Sequence, residues 1–207
     1  MSRKLLINKI KTGVDEIEPH RSGLVGWLDV RNQSGNTWRA RIGNNASLRE
    51  FAGNEGFINN RLITRGKTNA KVVWNVSNVR SIIICMQSCD FLLEYVKYFL
   101  DLRPSVEKYV LTNGNGVINN DSIYPLKITT DGTTLSYAYP GQRVPSDVKL
   151  VYIDLGLIAS QDITLLNRFK DAEGVGGAFT GVLAYNKVLS DEEVLSNFKY
   201  AGSLLQL

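Results

Sequence analysis

Gly176-Gly177-Ala178-Phe179-Thr180-Gly181-Val182-Leu183-Ala184-Tyr185-Asn186-Lys187-Val188-Leu189-Ser190-Asp191-Glu192-Glu193-Val194-Leu195-Ser196-Asn197-Phe198-Lys199-Tyr200 reads as a last strand, a turn and a closing helix. Within Ala178 to Tyr185, the residues Phe179, Leu183 and Tyr185 fall near the period of two that marks a strand. Ser190 is placed to cap the helix, and Glu193 stands three residues on, so each side chain can satisfy an orphan N–H of the first turn. Leu189 before the cap and Val194 after it form a hydrophobic staple. Val194, Leu195 and Phe198 are expected on one helical face, with Gly202 as the stop.

Working outward, Gly23-Leu24-Val25-Gly26-Trp27-Leu28-Asp29-Val30 is the first clear strand, and a polar segment follows it from Trp38 to Gly43. The wording at both ends, with the Tyr-Asn-Lys-x-Leu-Ser-Asp-Glu-Glu turn, resembles laminin-G-like, concanavalin A-like jelly-roll domains. The resemblance spans about residues 23 to 200. It implies an all-β fold, a concanavalin A-like jelly-roll sandwich of two antiparallel sheets with a short C-terminal helix. Residues 23–207 are then the domain, and residues 1–22 an N-terminal arm or lead-in strand.

Strand-like runs between these ends agree. They are Lys71 to Val76, Val79 to Met86, Phe91 to Phe99, Lys108 to Leu111, Ile123 to Thr129, Thr134 to Tyr139 and Val148 to Leu155. Leu92, Tyr95, Val96 and Phe99 also fit a helical period, but aromatic content and flanking strands favour β. Asn113 to Gly116 reads as a tight turn, and Asp131-Gly132 as a hairpin turn. Gln161 to Phe169 is expected as a short helix or an irregular crossover.

The chain has 207 residues, of which 43% are hydrophobic and 21% charged, with a formal charge of +4 and a pI near 9.0. That suits a globular domain with a mildly basic surface and gives nucleic-acid binding no support. No apolar run reaches the roughly 18–20 residues of a membrane helix, so no membrane insertion is expected. Arg3, Lys4 and the residues after Leu5 lack the pattern of a signal peptide. Cys85 and Cys89 are expected as buried free thiols, although a turn at Gln87-Ser88 would allow a bond.

No Glu-x-Asp run of the kind that arms jelly-roll glycosidases is present, so a protein outside the enzymes, with no catalytic residues, is expected. His20 stands alone, and Asp121, Asp131, Asp147 and Asp171 are isolated, so no metal or other cofactor is expected; calcium, common in domains of the resembling family, has no support in these residues. For glycan binding the best stretch runs from Asn32 to Arg41. Trp38 could stack on a sugar there, with Asn36, Arg39 and Arg41 on its hydroxyls, or it could pack inward at a strand end. Tyr137, Tyr139 and Arg143 form a second candidate, in which the tyrosines are expected mainly to serve the core.

The functional expectation is a non-enzymatic virion or appendage structural protein, such as a phage head-decoration, head-fibre or tail component. Its partners would be other virion proteins or copies of itself, with adhesion to surface glycans as an added property. Arg3, Lys4, Leu5 and Ile7 of the arm would make the contacts. The alternative is a carbohydrate-binding lectin module, extracellular or at a cell surface.

Overall fold

The computed structural model describes residues 17–66, 68–90, 97–103, 105, 108–112, 117–118, 126–168 and 174–205. Its strands are β1 (Leu24–Ser34), β2 (Thr37–Ile42), β3 (Ala46–Arg49), β4 (Gly56–Ile58), β5 (Arg61–Arg65), β6 (Lys71–Asp90), β7 (Lys97–Asp101), β8 (Tyr109–Thr112), β9 (Leu126–Thr129), β10 (Ser136–Ala138), β11 (Leu150–Leu165) and β12 (Gly176–Tyr185). One helix, α1 (Asp191–Leu205), closes the chain.

The protein is mostly β, and every pairing between these strands is antiparallel. The pairing does not divide into two separate sheets. It is a single 12-stranded sheet that closes into a ring through β6, β3, β2, β1 and β12. The physical reason is the length of β6 and β11. The start of β6 pairs with β3, its end pairs with β12, and β11 runs beside both halves. Lys71 to Val76 and Val79 to Met86 are therefore one bent strand of 20 residues rather than two. Asn78 makes the bend in the left-handed region at φ 58°, and its N–H donates to the Ser160 hydroxyl at 2.8 Å. Asn tolerates that region better than most residues.

Gln161 to Leu165 is strand, which corrects the expected helix or crossover. Its alternation decides this: Ile163 and Leu165 enter the core while Asp162 and Thr164 face out. Asn59 and Asn60, both at positive φ, turn β4 tightly into β5, a hairpin the sequence reading did not anticipate. The hairpin around Asp131-Gly132 is present between β9 and β10, but its loop is wider than a tight turn. The Asn113 to Gly116 turn and residues 91–96 lie outside the described residues.

Two apolar clusters lie on opposite faces of the strands that form the middle of the sheet. The larger fills the ring, with Leu28, Trp38, Trp74, Ile82, Ile84, Phe99, Ile153, Phe179 and Val182 among its members. The smaller lies under α1 and joins Trp27, Ile83, Cys85, Tyr152, Leu183 and Tyr185 to Val194, Tyr200 and Leu204. This two-sided burial explains why β12 is buried along almost its whole length. The capping box is formed: the Ser190 N–H donates to Glu193 Oε2 at 2.9 Å, and the Glu193 N–H donates to Ser190 Oγ at 3.3 Å. Leu189 and Val194 share the smaller cluster. Gly202 does not stop the helix, which runs on to Leu205. Cys85 is buried and free, and burial together with the charge of Asp29 pushes its thiol up to about 12. The side chain of Cys89 lies outside the described residues.

Candidate functional site

The outward face of the β3, β6, β11, β7 and β8 stretch carries polar side chains by simple alternation. On β6, Val72, Trp74 and Val76 go into the core, which leaves Lys71, Val73 and Asn75 outside. On β3, Ala46 and Leu48 go in and Ser47 and Arg49 go out. The ladder aligns these outward residues in rows. Ser47 faces Val73, Val73 faces Thr164, Thr164 faces Asp101 and Asp101 faces Tyr109. A second row pairs Arg49 with Lys71, and a third pairs Asn75 with Asp162.

These rows floor a depression of about 470 Å³ lined by Arg49, Glu50, Lys71, Val73, Asn75, Arg103, Ser105, Asp162 and Thr164. Its two ends differ. At one end stand Arg49 and Lys71, with the Lys71 ammonium 3.3 Å from the Glu50 carboxylate. At the other end the Asn75 amide donates to Asp162 Oδ1 at 2.8 Å and accepts from Asn44 at 3.1 Å. Lys71 and Asn75 are four residues apart along one strand, or ~13 Å. Val73 supplies an apolar patch between them. Beside it the Thr164 hydroxyl, in a residue only 4% exposed, makes no hydrogen bond to any described residue. The residue lines the depression, so this hydroxyl is a candidate contact for a ligand.

The β7–β8 side is set by Asp101-Leu102-Arg103. Asp101 is fully buried and accepts from the Arg103 backbone N–H at 2.9 Å, from Nε at 2.8 Å and from Nη2 at 2.6 Å. The guanidinium lies over the rings of Tyr109, at 4.7 Å, and Tyr98, at 5.3 Å. The Asp101 bond holds Arg103 above even its usual high range. The result is a rigid, charged wall with aromatic backing.

The earlier candidates are not brought together around a sugar platform. Trp38 is 0% exposed within the larger core and lies edge-on to Phe57 at 5.7 Å, so it offers no face to a sugar. Alternation along β2 explains this: Trp38 points in while Arg39 and Arg41 point out. Arg41 is engaged elsewhere, with Nε 2.8 Å from Asp29 Oδ2, and Asn36 sits exposed at the turn before Trp38. Tyr137 and Tyr139 are 42% and 45% exposed, which corrects their expected core role. The Tyr137 hydroxyl lies 3.2 Å from both Asp191 carboxylate oxygens. Arg3, Lys4, Leu5 and Ile7 lie outside the described residues. Sequence reasoning missed the depression because its lining comes from strands far apart in the chain, and only the alternation in Lys71 to Asn75 hinted at an outward face.

Asp131 accepts from the N–H groups of Thr133 and Thr134, which hold its carboxyl below the usual range, so it serves its own turn. Among the described residues no group of three or more His, Cys, Asp or Glu could hold a metal ion. No helix among them is long and apolar enough to cross a membrane.

No family model matches the chain, and no curated protein matches it. Solved structures do. A Trypanosoma rangeli sialidase in complex with 2,3-difluoro-KDN superposes with a TM-score of 0.58 at 15% identity, covering 88% of this chain and 33% of that one. The same organism's sialidase in complex with sialic acid gives 0.51 at 18% identity, covering 88% and 33%. Its covalent intermediate with 2,3-difluorosialic acid gives 0.51 at 18%, covering 85% and 33%. The chain thus spans about a third of the length of these structures, and identity this low shows a shared fold alone. The expectation of a protein standing apart from enzymes is overturned at that level: these structures, which share its fold, are sialidases.

Proposed function

We propose that this chain is a saccharide-binding module of glycan-recognising or glycan-processing proteins. The reading takes the fold as a concanavalin A-like jelly roll in which β6 and β11 run through both layers. The observation that carries it is the depression over β6 and β11, where the open Thr164 hydroxyl lies between an amide–carboxylate end and a cationic end. Saccharides present dense hydroxyls that both donate and accept, together with C–H faces. Asp162 and Asn75 can take hydroxyl protons, Arg49 and Arg103 can donate, and Val73 offers apolar contact. The matching sialidases are described with sialic acid and its difluorinated derivatives, which favours a saccharide over other polar ligands.

A broad glycan array of wild-type protein against Asp162→Ala tests this. Reproducible binding to one saccharide class, lost in the variant with its melting temperature unchanged, is the expected result. A silent array, or binding indifferent to Asp162→Ala, would refute it. The virion reading makes a separate demand, that the chain be found in purified particles. The arm that would mediate it lies mostly among residues 1–16.

A further inference from the structure

We propose that the depression takes an anionic saccharide, one bearing a carboxylate or a sulfate, and that Glu50 holds the place of the ligand's acid group while the site is empty. The inference rests on the saccharide reading above and names the class of sugar.

Arg49 and Lys71 lie directly opposite each other on neighbouring strands and both line the depression. Like charges in directly opposed positions destabilise a sheet unless an anion stands with them. Arg49 has no carboxylate within 4 Å among the described residues. The Lys71 side chain is only 14% exposed, meets Glu50 at 3.3 Å and has a further interaction besides. Glu50 is ill suited to be a permanent partner. Its side chain is 51% exposed, and its backbone sits at φ 61°, a left-handed conformation that costs a residue with a Cβ. With Lys71 largely buried and Glu50 half exposed, the pair is partly open to water, and its exposed member can be displaced.

A carboxylate or sulfate on a ligand could instead lie between Arg49 and Lys71, accepting from the guanidinium in a paired geometry and from the ammonium. The uncharged part of the sugar would then reach Val73, Thr164 and the Asn75–Asp162 end. That end carries the Asp162 carboxylate, and Arg103 lines the depression as a third cation. An acidic saccharide, with one anionic group and many hydroxyls, complements such a lining. The anion is bound by displacement: Glu50 swings into water, and no bond is made or broken.

Titration calorimetry with lactose, sialyllactose and sulfated lactose, on wild type, Glu50→Gln and Arg49→Ala, tests the inference. Wild type is expected to bind an acid-bearing sugar at least about tenfold more tightly than lactose, in keeping with charge-assisted hydrogen bonds. Glu50→Gln should tighten the acid-bearing sugar by about threefold to fivefold and leave lactose unchanged, as expected for loss of a weak competing pair. Arg49→Ala should abolish the preference. The two acid arms show whether carboxylate or sulfate is favoured. Equal binding of lactose and both acids, or no gain in Glu50→Gln, overturns the inference. If lactose binding then still depends on Asp162, the saccharide reading survives. If no sugar binds any variant, both fall.

Discussion

Asp29-Val30-Arg31 and Asp101-Leu102-Arg103 are the same device built twice. In each, a fully buried carboxylate accepts the backbone N–H of the residue two places on, at 2.9 Å, and grips that residue's guanidinium through two nitrogens. In each, the arginine is 20% exposed and lies near a tyrosine ring. The surroundings differ. Asp29 lies beside the smaller core, where Arg41 adds a contact at 2.8 Å and the Tyr200 hydroxyl donates at 3.3 Å. Tyr200 also accepts from the Trp27 indole at 2.6 Å, so the helix is tied to β1 through this carboxylate. Burial, then the Asp29 charge, pushes the Tyr200 phenol up, which keeps it a proton donor. Among the described residues no helix packs over Asp101, and its arginine lines the depression. One motif closes the fold and the other shapes a surface, and the element packed above each decides which.

The largest expected effect comes from Asp29→Asn. It leaves Arg31 and Arg41 without their shared anion and should cost about 3–5 kcal/mol, the usual penalty for breaking a buried pair. That corresponds to a melting temperature lower by roughly 6–20 °C in a domain of this size. Asp101→Asn should cost less, about 2 kcal/mol, because Arg103 can turn to water across the depression. It should also weaken saccharide binding by loosening the wall. Equal losses of stability from the two variants, measured by thermal unfolding, would break the comparison.

A smaller effect distinguishes the closed side by pH. The Lys127 bond holds Asp191 below the usual carboxylate range, and the Lys187 bond does the same for Glu193. A depressed folded-state value means stability present at neutral pH and lost as pH falls through the carboxylate range. Both groups are partly exposed, so each pair should be worth less than about 1 kcal/mol. Asp191→Asn should flatten the acid limb of melting temperature against pH. An unchanged limb would show that the pair does not tie α1 to β9 in solution.

The closing strand, the capping box and the staple were legible because each lies within a few residues of its partner: Ser190 with Glu193, Leu189 with Val194. The β character was legible from alternation. Lys71 to Val76 and Val79 to Met86 read as separate runs, because a left-handed Asn in mid-strand and an Asn in a loop look alike in sequence. Gln161 to Phe169 read as a short helix or an irregular crossover because Leu165, Leu166 and Phe169 crowd its end and hide the alternation of Ile163 and Leu165 with Asp162 and Thr164. Trp38 reads in sequence either as a sugar platform or as packing inward at a strand end, and the register of β2 against β1 and β3 goes with the inward role. Of the depression only the outward alternation in Lys71 to Asn75 was legible: Arg49, Lys71, Asp162 and Arg103 meet only through long-range ladders.

The position of β12 bears on how the chain is made. This last strand does not lie at an edge but between β1 and β6, with β5 beside its start. During synthesis β6 and β1 emerge long before the strand that must separate them. Until Tyr185 has left the ribosome, the apolar faces of Trp27, Ile83 and Leu28 have no permanent cover. Contacts of such long sequence separation form slowly, and incomplete chains expose surfaces that aggregate. Pairing of β1 and β6 through β12 therefore completes only once Gly176–Tyr185 is available.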